Sequence, residues 1–151
     1  MKLSSLKDTQ KLAKRISQIA KSGDTIFLYG EIGVGKTTFV RFFINNLEKI
    51  NKVRKSNILS PTFNIVYDYK IKKTQILHYD LYRLKSYNDI LELGMFETAE
   101  KYIKIIEWPE LIKLKPKNRI EIILKYSKLI NSRNIKINSF GKCKNYKLNE
   151  L

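Results

Sequence analysis

Three glycines, a lysine and a threonine stand together in the stretch YGEIGVGKTT, where Gly30, Gly33 and Gly35 precede Lys36 and Thr37. Their spacing matches the pattern Gly-x-x-x-x-Gly-Lys-Thr of a phosphate-binding loop (P-loop) at every defined position. Glycines allow such a loop to turn tightly and direct its N–H groups at a phosphate, while the lysine amine reaches the terminal phosphates and the threonine hydroxyl binds Mg²⁺. The pattern predicts a nucleoside-triphosphate site; the alternative is a glycine-rich turn followed by Lys-Thr by chance.

Two acidic residues are candidates for further Mg²⁺ ligands, because this ion usually takes one or two carboxylates in addition to phosphates and waters. Glu107 ends the mainly apolar run 102–106, as a Walker B carboxylate does, and is the first candidate. Asp80 ends the strand-like run 76–79 and is the second, expected at the same phosphate-binding edge of the sheet. The alternatives are a surface acid at a strand end for Glu107 and a helix or turn cap for Asp80.

Three further side chains are candidates for roles at this site. Thr62 lies in the stretch SPTFN between the predicted P-loop helix and the next strand, where a switch-like loop threonine can approach the metal or γ-phosphate. The alternative is a simple Ser-Pro turn. His78 shares a strand face with Asp80 and is expected to have a structural or orienting role. Trp108 is expected to pack in the interior, the alternative being an aromatic contact near the nucleotide.

The elements around the loop are those that a P-loop requires. Ser5 and Asp8 have the spacing of a capping box, which predicts a first amphipathic helix that continues until Gly23. The run 25–29 is rich in β-branched and aromatic residues and predicts a buried strand. Apolar residues at helical spacing between 39 and 47 predict a helix after the glycines, so the loop joins a strand to a helix.

The rest of the chain predicts the outer part of the same sheet. Residues 63–70 and 75–81, on either side of a short Lys-Lys-Thr stretch, are predicted to form an antiparallel hairpin. Ser86 and Asp89 have the spacing of a second capping box, and 119–125 and 134–138 are predicted to be closing strands.

Length and composition indicate one globular domain over 1–151, with a tail after about 141 to which no structure is assigned. No run approaches the roughly 18 apolar residues of a membrane span, and no secretory signal is visible, so a cytoplasmic protein is expected. The net charge of +16 suits a polyanionic partner, but a bias towards lysine is an equal explanation. Cys143, the single cysteine, is expected to be an incidental thiol.

Taken in order, these motifs resemble one family closely. The set GEIGVGKTT at 30–38, SPTF at 60–63, HYDLYRL at 78–84, ELG at 92–94 and EWPE at 107–110 is similar to TsaE (YjeE), the small P-loop ATPase of threonylcarbamoyladenosine (t6A) synthesis on tRNA. The resemblance covers about residues 5–140. It implies a three-layer α/β/α domain of the P-loop NTPase type with a mixed, partly parallel sheet, and ATP and Mg²⁺ as cofactors.

The resemblance also implies site residues. Those for catalysis are Lys36, Thr62, Asp80 and Glu107, and those for the metal are Thr37, Asp80 and Glu107. The residues expected to bind the nucleotide are Thr9, Glu31, Gly33, Val34, Gly35, Lys36, Thr37, Thr38 and Arg133. Arg133 follows Ser132, where the family usually has glycine.

Three function classes are compatible with a P-loop. The resemblance implies a weak ATPase that acts on the TsaB–TsaD complex and meets tRNA through that complex. A small-molecule phosphotransferase is the alternative, although no arginine-rich lid segment is visible. A GTPase switch would need an Asn-Lys-x-Asp guanine reader, which the sequence lacks. Arg41, Arg83 and Arg133 are the candidate internal cations for phosphate chemistry, with Arg41 expected on the exposed side of its helix.

Overall fold

The structure of the protein is a computed structural model in which residues 2–97, 100–129, 132–146 and 148 are described. The helices are α1 (Leu6–Ile19), α2 (Lys36–Ile50) and α3 (Tyr87–Glu92). The strands are β1 (Lys2–Leu3), β2 (Thr25–Tyr29), β3 (Val66–Ile71), β4 (Thr74–Asp80), β5 (Ile103–Glu107), β6 (Arg119–Tyr126) and β7 (Arg133–Phe140). Short 3₁₀ turns cover Pro109–Leu111 and Gly141–Tyr146.

The described strands form one sheet of seven in the order β1-β7-β6-β2-β5-β4-β3. The four central strands β6, β2, β5 and β4 run parallel, whereas the outer pairs β3–β4, β6–β7 and β1–β7 are antiparallel. Parallel strands end at the same edge of a sheet, so Tyr29, Asp80 and Glu107 come together there, with Asp80 directly paired to Glu107. This edge carries the candidate site.

The helices begin where the capping signals place them. Ser5 Oγ accepts a hydrogen bond from the Asp8 N–H at 3.3 Å, and the Asp8 carboxylate accepts one from the Ser5 N–H at 3.0 Å. Ser86 and Asp89 form the same reciprocal pair at the start of α3. Both predicted capping boxes are therefore confirmed, although α1 ends at Ile19, before Gly23.

Helices cover the sheet on both faces. On one face, α1 and α2 pack together and bury an apolar cluster that includes Leu12, Ile16, Phe39, Phe43, Ile26, Leu28 and Ile105. On the other face, α3 and the segments beside it bury Phe27, Tyr79, Leu81, Ile90, Met95, Ile106 and Ile112. The predicted P-loop NTPase-like α/β fold with a mixed sheet is confirmed.

The outer strands differ in detail from the expectations. The hairpin has a two-residue turn at Lys72 and Lys73, with Lys72 at a φ of 51°, and β3 begins at Val66 rather than at 63. The last strand is longer than the predicted 134–138, since it spans Arg133–Phe140. The two-residue strand β1 was not predicted, because its only support is pairing with β7 at the sheet edge.

The tail after 141 packs against the domain as far as it is described. Cys143 is fully buried, and burial raises the pKa of its thiol to about 12, so the thiolate form is disfavoured. The Tyr146 hydroxyl donates to the Asp24 carboxylate at 2.6 Å. Of the described helices, none has the length and apolar character that crossing a bilayer requires.

Candidate functional site

The glycine-rich loop and the ends of β4 and β5 surround a cleft of about 380 Å³. Its walls come from the loop, the first turn of α2, the segment before β3 and the residues after β4 and β5. The lining residues are Ile32, Gly33, Gly35, Lys36, Thr37, Thr38, Ser60, Thr62, Asp80, Tyr82, Glu107 and Trp108. We call it the phosphate cleft.

Two of the loop glycines have different physical reasons for being glycine. Gly30 has a φ of 142°, and a Cβ built there would collide with the backbone carbonyl of Leu124 on β6 and lie 2.9 Å from Val34 Cγ1. Gly35 has a φ of 118°, and no atom lies within 4 Å of the position a Cβ would take. Gly30 is thus needed for packing on the sheet, whereas Gly35 is needed for its left-handed backbone at the helix start.

The start of α2 is open towards the cleft. Gly35 is the N-cap residue and offers no side chain to the free N–H groups of the first helical turn. These N–H groups and the positive end of the helix dipole face a space large enough for a phosphate group.

Lys36 places a buried amine beside this helix start. Its Nζ donates to the carbonyl oxygens of Gly30 and Glu31, the latter at 3.0 Å, and lies 3.7 Å from the centre of the Trp108 ring. Burial lowers the pKa of Lys36, against the opposing effect of nearby carboxylates, of which Glu107 is the strongest. The amine thus contacts two backbone carbonyl oxygens and the Trp108 ring, and a phosphate group can replace these contacts.

Thr37, Glu107 and His78 form a hydrogen-bonded chain across the cleft floor. Thr37 Oγ1 lies 2.9 and 3.1 Å from the two carboxylate oxygens of Glu107, to which it donates. His78 Nε2 lies 2.8 Å from Glu107 Oε1. Since an ionised carboxylate only accepts, Nε2 is the donor in this contact. His78 is fully buried, and Glu107 is the side chain that it contacts and that it could orient.

Asp80 holds the neighbouring loop in place. Its Oδ2 accepts hydrogen bonds from Ser60 at 2.8 Å and Thr62 at 2.7 Å, and its Oδ1 accepts one from the Tyr82 N–H at 3.0 Å. The structure therefore brings Thr62 to the cleft through Asp80. Ser60 was not predicted to contribute to the site. Its place two residues before the candidate Thr62, in the same SPTF motif, could have indicated such a contact.

The donor set of the cleft suits Mg²⁺. Thr37 Oγ1 and the Glu107 carboxylate are adjacent hard oxygen donors, and the Asp80 carboxylate lies on the next strand in register. Among the described residues, no group of three or more His, Cys, Asp or Glu side chains could hold a metal by itself.

A second cleft of about 510 Å³ lies on the other side of the same loop. Thr9, Val34, Thr38 and Arg133 line it together with Gly33 and Gly35, which also line the phosphate cleft. Arg133 Nε donates to the Val34 carbonyl at 3.0 Å. Thr9 and Arg133, 124 residues apart in the sequence, thus meet beside the loop. We call this space the lateral cleft.

Glu31 in the loop and Tyr126 on β6 do not line the phosphate cleft, but both form hydrogen bonds with the loop. Glu31 was predicted as a site residue, whereas Tyr126 was not. Glu31 is exposed, and its backbone carbonyl accepts a hydrogen bond from Lys36 Nζ at 3.0 Å. The Tyr126 hydroxyl donates to the Ile32 carbonyl at 2.7 Å and supports the loop from the end of β6. Nothing in the sequence around Tyr126 indicated this contact, because it depends on β6 being the neighbour of β2.

Taken together, the parallel central strands, the glycine loop at the end of β2 and the helix that follows it define a mixed α/β protein with a P-loop NTPase-like fold. Residues 3–135 match the family model described as "Threonylcarbamoyl adenosine biosynthesis protein TsaE". The chain therefore belongs to the TsaE family.

Individual relatives agree with this assignment. The chain is 44% identical over 111 residues to the tRNA threonylcarbamoyladenosine biosynthesis protein TsaE of Rickettsia felis, covering 74% of this chain and 63% of that protein. It is 40% identical over 124 residues to the protein of the same name from Rickettsia bellii, covering 82% and 83%. The match thus spans somewhat under two thirds of the Rickettsia felis protein. The crystal structure of Bacillus subtilis YdiB shares the fold, with a TM-score of 0.77, 23% identity and coverage of 99% and 93%.

Proposed function

We propose that this protein binds ATP with Mg²⁺ in the phosphate cleft and hydrolyses it slowly in support of t6A modification of tRNA, acting on the TsaB–TsaD complex. The observation that carries the nucleotide part is the contact of Thr37 with Glu107 beside the Lys36 amine. A carboxylate from 70 residues away in the chain thus lies beside the hydroxyl and the cation of the first helical turn. The biosynthetic role is supported by family membership and by the names of the relatives.

The triphosphate is held by the loop and the helix start. The free N–H groups of the first turn of α2 bind phosphate oxygens, and Lys36 exchanges its carbonyl partners for the terminal phosphates. The Trp108 ring lies 3.7 Å from the Lys36 amine and 4.9 Å from the Tyr82 ring, so its fluorescence should respond when the surroundings of the amine change.

Thr37 Oγ1 and the Glu107 carboxylate would hold Mg²⁺. An ion held there would supply positive charge next to the phosphates. Glu107 is oriented from both sides by Thr37 and His78, so its carboxylate is fixed before any ligand arrives. Asp80 keeps Ser60 and Thr62 against the cleft and stays a candidate for the second carboxylate.

The lateral cleft would hold the adenosine part of ATP. This cleft shares Gly33, Gly35 and Thr38 with the phosphate cleft, so a bound nucleotide can extend around the loop from one to the other. Thr9 and Arg133, which line this cleft, would then lie beside the nucleoside.

Slow turnover follows from where the arginines lie. Arg41 is exposed and its Nε donates to the Ile58 carbonyl at 3.3 Å, and Arg83 lies over the exposed Phe63 ring at 5.2 Å. Arg133 is engaged with the Val34 carbonyl on the other side of the loop. Among the described residues, Lys36 is the one cation that lines the phosphate cleft. Fast phosphoryl chemistry commonly needs a further cation, which a partner can supply in trans.

The test is a titration of the protein with Mg·ATP and Mg·ADP by calorimetry and by Trp108 fluorescence, Trp108 being the only tryptophan. Lys36→Ala should abolish or strongly weaken binding, and more for ATP than for ADP, because the amine is nearest the terminal phosphates. Lys73→Ala, in the exposed β3–β4 turn, is the matched control and should bind like the parent. Equal ATP affinity of Lys36→Ala and parent would refute the site. Rapid phosphate transfer to small hydroxylated acceptors would instead favour a phosphotransferase.

A further inference from the structure

A third cleft, of about 750 Å³, runs between α1 and α2 away from the glycine loop. Six cationic side chains line it: Lys7, Lys11 and Lys14 from α1, Arg41 and Lys49 from α2, and Lys55 from the segment after α2. None of the lining residues in the described chain is acidic. We call it the basic groove.

Five of the six cations lie in two rows along the groove. Lys7, Lys11 and Lys14 have i, i+4, i+7 spacing and lie on one side of α1, and Arg41 and Lys49 are eight residues apart on α2. At 1.5 Å per residue each row is about 10–12 Å long. Among the described residues none of the six is in a salt bridge, although Lys11 interacts electrostatically with Asp8 on the same helix.

The spaces between the cations are filled by neutral groups that can also contact a ligand. Gln10, Asn45 and Asn46 line the groove with amide side chains, and the half-buried Phe42 adds an aromatic surface. Asn46 Nδ2 is fixed by donating to Ser17 Oγ at 2.8 Å. A groove with two rows of cations, amides and an aromatic ring has the features that follow a nucleic-acid backbone.

We propose that the basic groove binds the phosphate backbone of RNA directly. The groove brings part of the net charge of +16 together on one concave surface. A bias towards lysine alone would instead spread the positive charge over the whole surface. RNA is favoured over an acidic protein surface because amides and a ring suit bases and sugar hydroxyls as well as phosphates. The choice of RNA among polyanions also rests on the proposed role in tRNA modification. The description of the groove as a polyanion-binding surface does not depend on that role.

Electrostatic binding of this kind has a measurable salt dependence. Each neutralised phosphate contributes about −0.7 to the slope of log K against log salt for a single strand and about −0.9 for a duplex. Six cations therefore give a slope of at most about −4 to −5, and removing three should reduce its magnitude by about 2.

The experiment measures fluorescence anisotropy of a labelled, unmodified tRNA transcript and of a short RNA stem-loop with the full-length protein between 50 and 200 mM salt. The test variant carries Lys11→Gln, Lys14→Gln and Lys49→Gln, since glutamine keeps the helix propensity of lysine. The matched control carries Lys73→Gln, Lys117→Gln and Lys136→Gln, which remove the same charge from exposed positions outside the three clefts. Single substitutions Lys11→Gln and Lys49→Gln, each lowering the slope by about 0.7, replace the triple variant if it does not fold.

The groove variant should lose at least tenfold in RNA affinity at 50 mM salt and about two units of slope, whereas the control should lose less than threefold. Equal losses in both variants would overturn the proposal, because binding would then follow net charge alone. Displacement of RNA by poly-L-glutamate at equal charge would also overturn it and would point to an acidic protein partner. Mg·ATP titration of the groove variant by Trp108 fluorescence should match the parent, so a failure of the nucleotide site is detected separately.

Discussion

Replacing Glu107 by glutamine should separate folding from turnover. The change keeps the size of the side chain but removes one acceptor oxygen and the charge. Glu107 is 2% exposed and in contact with Thr37 Oγ1 at 2.9 and 3.1 Å and with His78 Nε2 at 2.8 Å. An amide has one acceptor oxygen and one donor group, so at least one of these contacts must be lost or rearranged.

Two opposing effects set the size of the stability change. Losing a hydrogen bond to a charged group costs about 1.5–3 kcal/mol. Removing a buried charge gains part of a desolvation penalty that reaches several kcal/mol per ion. The free energy of unfolding of Glu107→Gln should therefore change by no more than about 2 kcal/mol, which for this chain length is a shift of roughly 4–8 °C in melting temperature.

Turnover should change far more than stability. The proposed Mg²⁺ site loses its buried carboxylate, and a loss of about 3–4 kcal/mol of transition-state stabilisation corresponds to a 10²–10³-fold lower rate. Single-turnover phosphate release, with thermal unfolding of the same samples, measures both quantities. Glu121→Gln is the matched control, a buried glutamate on β6 paired with Lys115 and Arg119 outside the cleft, and should keep its rate. Unchanged hydrolysis by a well-folded Glu107→Gln protein would refute the assignment and move the metal role to Asp80.

Three other predictions test the loop, the electrostatics and the partner. Gly30→Ala should destabilise the protein by about 2–4 kcal/mol in urea unfolding, because the new Cβ meets the Leu124 carbonyl at a φ of 142°; a neutral effect would contradict the packing. Burial raises the pKa of Glu121, but Arg119 and Lys115 outweigh it, so the net pKa is lowered. The interaction of Glu121 with Arg119 and Lys115 should therefore stabilise the fold at neutral pH. The stabilisation should be lost as the pH falls below about 4.5 through the folded pKa of Glu121, and Glu121→Gln should not show this pH-dependent loss. Finally, basal ATP hydrolysis should be slow and rise when the purified TsaB–TsaD pair is added; a high basal rate that the pair leaves unchanged would count against a partner-supplied cation.

Local sequence signals predicted the elements nearest the site. The glycine spacing with Lys36 and Thr37, the run 25–29 and the apolar helical spacing after the loop located β2, the loop and α2. The two capping boxes located the starts of α1 and α3. These signals involve residues within a few positions of each other, so they are readable without knowing which strands are neighbours.

Contacts between distant segments required the tertiary structure. Thr37 and Glu107 are 70 residues apart, and their hydrogen bond exists because β5 lies beside β2 in parallel register. The same applies to Tyr126 and Arg133, which reach the loop from β6 and β7, and to β1, which has no local signal.

The sequence by itself thus predicted which residues are candidates for phosphate and metal binding and which local elements hold them. Only the tertiary structure decided how these residues meet: that His78 orients Glu107, that Asp80 holds Ser60 and Thr62, and that the scattered lysines of α1 and α2 converge in one groove. The physical reason is that strand order and helix packing are set by burial of two apolar faces over the whole chain, whereas turn chemistry and helix capping are set by neighbours in sequence.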